Sequence, residues 1–156
     1  MPLDGFKQLI DDLTAFDFGQ EMETIVADNL DELTPMVKEQ LSEGKDGDDK
    51  PNTIFGRSGY SPKTVEIKQA NGKGLGAVTD YVTNYMTGDF YESLKMELEG
   101  QVFEADSDVP YFGDITLYSS PQLLDVDEAN RLKFAETYTL PGIKEVLFAK
   151  TGLVIT

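Results

Sequence analysis

The chain has 156 residues and a formal net charge of −16, with neither cysteine nor histidine. The missing cysteine excludes disulfides and thiolate metal sites. The missing histidine removes the commonest general acid–base and the commonest nitrogen metal ligand. Any catalysis would have to rest on Asp, Glu, Lys, Ser, Thr or Tyr, and no enzymatic activity and no cofactor are expected.

Hydrophobic residues make up 40% of the chain and aromatics 10%, which suits a folded domain rather than a disordered one. A single domain over 1–156 is expected. Asp4, Asp11 and Asp12 interrupt any leader-like opening. No apolar run approaches the roughly 20 residues of a membrane span. These features lead to the expectation of a soluble protein made in the cytoplasm, without membrane contact.

Charge is uneven. Residues 1–50 hold 14 acids and 4 bases (−10), 51–95 hold 4 acids and 5 bases (+1), and 96–156 hold 11 acids and 4 bases (−7). Nucleic-acid binding needs clustered bases, so the chain as a whole would repel phosphate. A local basic stretch of Arg57, Lys63, Lys68 and Lys73, diluted by Glu66, is either a solvated face or a patch that meets an acidic neighbour.

An N-terminal helical region is predicted over 4–43. Phe6, Leu9, Ile10, Leu13 and Phe16 fall at helical spacing. Gly19 ends that helix, and Asp17 is a cap for the next, with Gln20 three residues on. A long second helix over about 20–43 carries the apolar stripe Met22, Ile25, Val26, Leu30, Leu33, Val37 and Leu41. Pro35 predicts a kink or break near 31–35, or a fresh segment capped by Thr34.

A flexible acidic loop follows over 44–56. Its Asp46, Asp48 and Asp49 lack the glycine and the bidentate glutamate of a calcium loop. Ser61 before Pro62 suits a helix start, but Val65 and Ile67 would lie on different faces, so a strand competes over 62–70. "NGKGLG" lacks the Gly-Lys-Ser/Thr of a phosphate cradle and is expected to be a mobile loop.

Thr87 is the expected cap of a short turn over 88–93, with Asp89 favourably placed at its start. Leu94, Met96 and Leu98 alternate with Lys95, Glu97 and Glu99, predicting a half-buried strand. A turn at Glu99–Gly100 would return it as a hairpin over about 94–106. A short third strand is expected over 114–120. Two helices, 125–138 and 141–151, follow, capped by Asp125 or Asp127 and started by Pro141, with Gly152 closing the second. The apolar tail at 152–156 is expected to be extended, packing on its own domain or pairing with a neighbour's sheet edge. The fold class is therefore α+β: a small antiparallel sheet packed with a long N-terminal helix and C-terminal helices.

The segment "GYSPKTVEIKQANGKGLGAVTDYVTNYMTGDFYESL" resembles a family of tailed-bacteriophage neck proteins: head–tail connector or tail-completion proteins, also called virion morphogenesis proteins. The resemblance is carried by Ser61, Pro62, Thr64, Lys68, Gly72 or Gly74, Thr87, Gly88, Asp89 and Phe90, in that order and spacing. Tyr91 and "LPGIKE" at Leu140 resemble versions in phages and prophages of gut Bacteroidota. It covers about 60–105 well and 139–152 loosely. The run between the glycine-bearing loop and Thr87 is longer here than in tight members of that family.

The resemblance implies a structural virion protein without catalytic or metal-binding residues. It would form a homo-oligomeric ring of six or twelve copies against the portal, other neck proteins or the tail tube. DNA would pass nearby without specific binding. Such a protein is made in the host bacterial cytoplasm and assembled at the head–tail junction. Candidate subunit contacts are Arg57, Lys63, Lys68 and Lys73 and the tail residues Leu153, Val154 and Ile155. The alternative is an acidic DNA mimic that inhibits a basic nucleic-acid enzyme, which shares the charge but not the motif.

Overall fold

The computed structural model describes the backbone of residues 3–100 and 102–154 and the side chains of 7–100 and 102–154. The chain divides into two compact units. One comprises Met1–Asn29 with Lys133–Thr156, the other Leu30–Leu132.

In the first unit, α1 spans Leu3–Thr14, α2 Phe18–Asp28 and α8 Leu140–Thr151, with a π turn at Ala135–Thr139. Asp17 caps α2 as expected: its carboxylate accepts from the Gln20 amide at 3.1 Å. Phe16, Ile25, Phe134 and Leu147 are buried. Gly142 lets α8 approach α2 closely, because a Cβ there would lie 2.8 Å from the Ile25 side chain. Lys150 pairs with Glu21 and sits over the Phe16 ring.

Pro141 stands in the first turn of α8, as expected, and the backbone stays helical across the junction before it. The π turn precedes it, and the Leu140 amide donates to the Ala135 carbonyl, five residues back. Proline has no N–H and its ring crowds the carbonyl four residues earlier, so a widened turn is a natural accommodation. Gly152, at φ +70°, closes α8 with its amide on the Phe148 carbonyl.

In the second unit, α3 spans Leu30–Ser42, α4 Pro62–Asn71, α5 Asp89–Ser93, β1 Lys95–Glu99, β2 Val102–Asp106 and α6 Phe112–Tyr118. The next helix, α7, Glu128–Phe134, begins in this unit, and a 3-10 turn covers Gly74–Ala77. Strands β1 and β2 pair antiparallel, with Met96 opposite Ala105 and Leu98 opposite Phe103. The predicted hairpin and its alternation are present: Met96 is buried while Lys95, Glu97 and Glu99 are exposed. The α+β class holds, with helix α3 packed on a two-stranded antiparallel sheet among the described residues.

The long helix over 20–43 is corrected to two. The chain breaks at Asn29, not at Pro35. The Asn29 side-chain amide donates to the Ile25 carbonyl at 2.7 Å, and its backbone N–H closes on Val26 and Ala27. Pro35 stays inside α3. Leu33, Val37 and Leu41 flank it and are almost wholly buried. Each such burial is worth about 1.5–3 kcal/mol, so together they outweigh the roughly 3 kcal/mol an interior proline costs. Thr34 does not cap a segment; its hydroxyl accepts from the Met96 amide at 3.1 Å, tying α3 to β1.

The third strand is also corrected. Residues 112–118 form α6 instead, followed by an isolated bridge between Ser119 and Ile54. Phe112, Ile115 and Ser119 are the less exposed positions, a helical rather than an alternating spacing. Phe112 stacks on Phe90 with ring centroids 6.1 Å apart. Between strand and helix for 62–70, the structure has helix: the Ser61 hydroxyl accepts from the Thr64 amide at 3.2 Å, and Pro62 occupies the first turn.

Candidate functional site

Within the loop expected over 44–56, residues 46–52 make defined hydrogen bonds. Asp46 is buried, and one carboxylate oxygen accepts from the amides of Asp48 and Lys50 at 3.0 and 3.1 Å. The Gly47 amide donates to the Gln122 carbonyl, and the Asn52 amide to the Gly44 carbonyl. Asp46 thus folds its own turn. Among the described residues no group of three or more acids is placed to hold a metal ion. Buried Gln40 clamps the chain before α7: its amide group donates to the Asp125 carbonyl and its oxygen accepts from the Asp127 amide. Asp127, not Asp125, caps α7, accepting from the Asn130 amide at 2.7 Å.

Two of the motif residues, Lys68 and Tyr91, meet segment 82–85, whose backbone groups are paired by side chains. The Val82 carbonyl accepts from Asn52 at 3.2 Å and the Thr83 carbonyl from the Tyr91 hydroxyl at 2.7 Å. The Thr83 and Asn84 amides both donate to the Tyr60 hydroxyl, at 2.9 and 3.1 Å. The Tyr85 carbonyl accepts from Lys68 Nζ at 2.6 Å. Asn84, at φ +54°, holds the turn and donates its side-chain amide to Ser119. This is a brace in place of a sheet partner: buried backbone groups must be paired, and here side chains from 52, 60, 68 and 91 pair them.

Lys68 is therefore corrected as a surface residue. It is 1% exposed, with its ammonium over the Tyr60 ring at 4.7 Å. Helix α4 presents little else to the core, which explains its ambiguous pattern: its buried position is a lysine. Arg57, Lys63 and Lys73 are exposed.

Thr87 is not the cap either. Gly88 precedes α5 at φ +106°, and Thr87 donates its hydroxyl to the Asp89 carboxylate at 2.8 Å. A Cβ at Gly88 would lie 2.8 Å from the Tyr85 hydroxyl, so the close approach demands glycine. Phe90 and Tyr91 are buried, and Tyr91 meets Tyr85 edge to face at 5.0 Å between centroids. Burial, and secondarily the neighbouring Tyr60, Tyr81 and Tyr85, push the Tyr91 phenol well above its ordinary pKa. Thr87, Gly88 and Asp89 thus shape a turn that delivers two aromatics to the brace. The glycine-rich "NGKGLG" is also built in: a Cβ at Gly72 would lie 2.4 Å from the carbonyls of Lys68 and Gly76.

Tyr60, Asn52 and Thr83 were not singled out as site residues by sequence. The one signal for Tyr60 is its place immediately before the Ser61–Pro62 helix start.

The described residues of this unit form several concavities. One, of about 830 Å³, is lined by the end of α3, Lys45, residues 47–50 and the start of α7. Its acids include Glu39, Glu43, Asp48, Asp49 and Glu128. Lys45 pairs with Asp49 and Glu43, and Lys50 with Asp48; these partners, Asp49 first, raise the Lys45 pKa, and Asp48 raises that of Lys50. A second, of about 260 Å³, is lined by 84–91 and Tyr111, and a third, of about 250 Å³, by Ile54, Phe55, Arg57, Gly59 and Ser61.

In the first unit, Leu153 is half-buried and Val154 is 75% exposed. Ile155, the third tail residue expected at a subunit contact, lies outside the described residues. No helix among the described residues is long and apolar enough to cross a membrane. Comparisons of this chain with family models, with curated proteins and with solved structures found no match.

Proposed function

We propose that this chain is a structural component of a tailed-phage neck, a head–tail connector or tail-completion subunit that assembles into a ring conducting DNA. The observation that carries the reading is the convergence of the resemblance-bearing residues. Lys68 and Tyr91 lie far apart in sequence, yet both hydrogen-bond the backbone of 82–85, and Gly88 packs against the Tyr85 ring, while Ser61 caps the helix that carries Lys68. Spent on a scaffold, they serve an assembly role better than a chemical one.

Two surface features support the same reading. Phe55, Leu117, Leu140, Phe148 and Val154 are large apolar side chains left more than half exposed, as subunit contacts would require. The net charge of −16 suits the wall of a DNA conduit, which functions best when it repels phosphate.

The test is genetic and structural. A phage lacking this chain should yield filled heads and separate tails, with joining restored by the supplied protein. Intact particles formed without it, or its absence from purified particles by mass spectrometry, would overturn the reading.

A further inference from the structure

Residues 54–57 form a tight turn that breaks a local rule. The Ile54 amide donates to the Arg57 carbonyl at 2.9 Å, and the Arg57 amide returns to Ile54 at 3.0 Å. Both central residues have positive φ: Phe55 at +51° and Gly56 at +71°. Such turns strongly favour Asn or Asp before the glycine, because left-handed backbone strains other side chains. Here the position holds phenylalanine, and its side chain is 69% exposed. The chain therefore carries local strain and exposes a large apolar group, and no burial within the unit compensates for either.

The aromatic is not loose. The Phe55 amide donates to the Tyr118 carbonyl at 2.6 Å, and the two rings lie 4.5 Å apart. Leu117, beside Tyr118, is 70% exposed. Arg57 is exposed and makes no ion pair among the described residues. The result is a rigid apolar knob flanked by a cation, on a chain that is otherwise strongly acidic.

We propose that this knob seats in the acidic concavity of a second copy of this chain, with Arg57 facing Glu39 and Glu128. The concavity has room for an aromatic side chain at about 830 Å³, and its lining includes Ala129 and the exposed Leu132. Glu39 and Glu128 have no ion-pair partner among the described residues, and the lining holds six acids against the three bases Lys45, Lys50 and Arg131, so the net negative wall complements Arg57. Knob and concavity are different patches of one unit. Each copy is then donor and acceptor at once; when its two contacts go to two different neighbours the result is a ring or a filament, which a cross-linked ladder distinguishes from a reciprocal twofold dimer. The inference rests on the ring reading and names the faces that meet.

Three measurements on the full chain test it. Because the chain has no cysteine, a Ser58→Cys/Ala129→Cys double variant, which keeps the Phe55 ring and uses an exposed residue beside the turn, reports contact between these faces. Mild oxidation should give a ladder of linked multimers, and either single variant should stop at dimers. Arg57→Glu should raise the concentration needed for assembly roughly tenfold, about 1.4 kcal/mol, and adding Glu128→Arg should restore it. Phe55→Asn should weaken assembly while the melting temperature holds or rises by a few degrees; a merely structural phenylalanine would lower both. Multimers that form without the ladder and ignore Arg57→Glu would overturn these faces and leave the ring reading standing. A wild-type chain that stays monomeric at millimolar concentration and in particles would overturn both.

Discussion

Lys68 Nζ donates to the Tyr85 carbonyl at 2.6 Å while its charge lies 4.7 Å above the Tyr60 ring. A lysine that looks like part of a surface patch is an interior strut. The same tyrosine uses its hydroxyl to receive the Thr83 and Asn84 amides, so Tyr60 serves the segment with both its face and its tip.

Tyr60→Phe removes one oxygen and leaves the ring. It strands two amides, one of them on fully buried Thr83. Each stranded donor costs roughly 1–3 kcal/mol, so we expect a loss of about 2–4 kcal/mol in urea unfolding. A loss below about 0.5 kcal/mol, within the range of ordinary surface changes, would mean that the brace is not bearing on stability.

Tyr91 links stability to alkaline pH. Its folded pKa is raised, chiefly by burial, so the neutral phenol is the form the fold holds. The contribution is whole below the unfolded value of about 10 and is lost as pH rises beyond it, at up to about 1.4 kcal/mol per pH unit. Tyr91→Phe should lose about 1 kcal/mol at neutral pH, for its bond to the Thr83 carbonyl, and should flatten the decline above pH 10. Parallel curves for the two proteins up to about pH 11.5 would refute the linkage.

Gly72→Ala and Gly74→Ala separate steric from conformational demand. Gly72 has an ordinary φ of −73°, but its Cβ would meet two backbone oxygens at 2.4 Å, so we expect a loss of about 3 kcal/mol. Gly74 has open space and φ +54°, and its substitution should cost about 1 kcal/mol. Thermal melts that ranked the two in the opposite order would contradict the packing of the 3-10 turn.

Asp46→Ala should destabilise by about 1–2 kcal/mol, because the amides of Asp48 and Lys50 lose their acceptor. Asp46→Asn keeps an acceptor oxygen and should lose less than half of that. Equal losses in chemical denaturation would point to the charge instead of the turn.

Deleting residues 153–156 should weaken assembly more than folding. Val154 is largely exposed, and the described contact of Leu153 is a bond from its amide to the Thr151 hydroxyl. Sedimentation and melting measured together decide this; matched losses in both would place the tail in the fold and not at a contact.

The hairpin, the Asp17 cap, the Ser61–Pro62 helix start and the Gly152 stop were all readable from letters alone, because each depends on residues within a few positions of one another. The break between α2 and α3 was not. Pro35 carries the stronger local signal, but the buried stripe Leu33, Val37 and Leu41 overrides it, and burial is decided by what packs against the helix. Residues 112–118 likewise fit a strand by composition; contact of Phe112 with Phe90 selects the helical face.

By itself the sequence determined the class of protein: acidic, α+β, without cysteine or histidine, with a punctuated segment at 61–91. Only the tertiary structure decided what that punctuation does. Asn52, Tyr60, Lys68 and Tyr91 reach one four-residue stretch from four separate places in the chain, and pairing its buried polar groups is a requirement that acts through space, not along the backbone. The same is true of Phe55, whose exposure and left-handed backbone become visible only once the turn is closed and Tyr118 is set beside it.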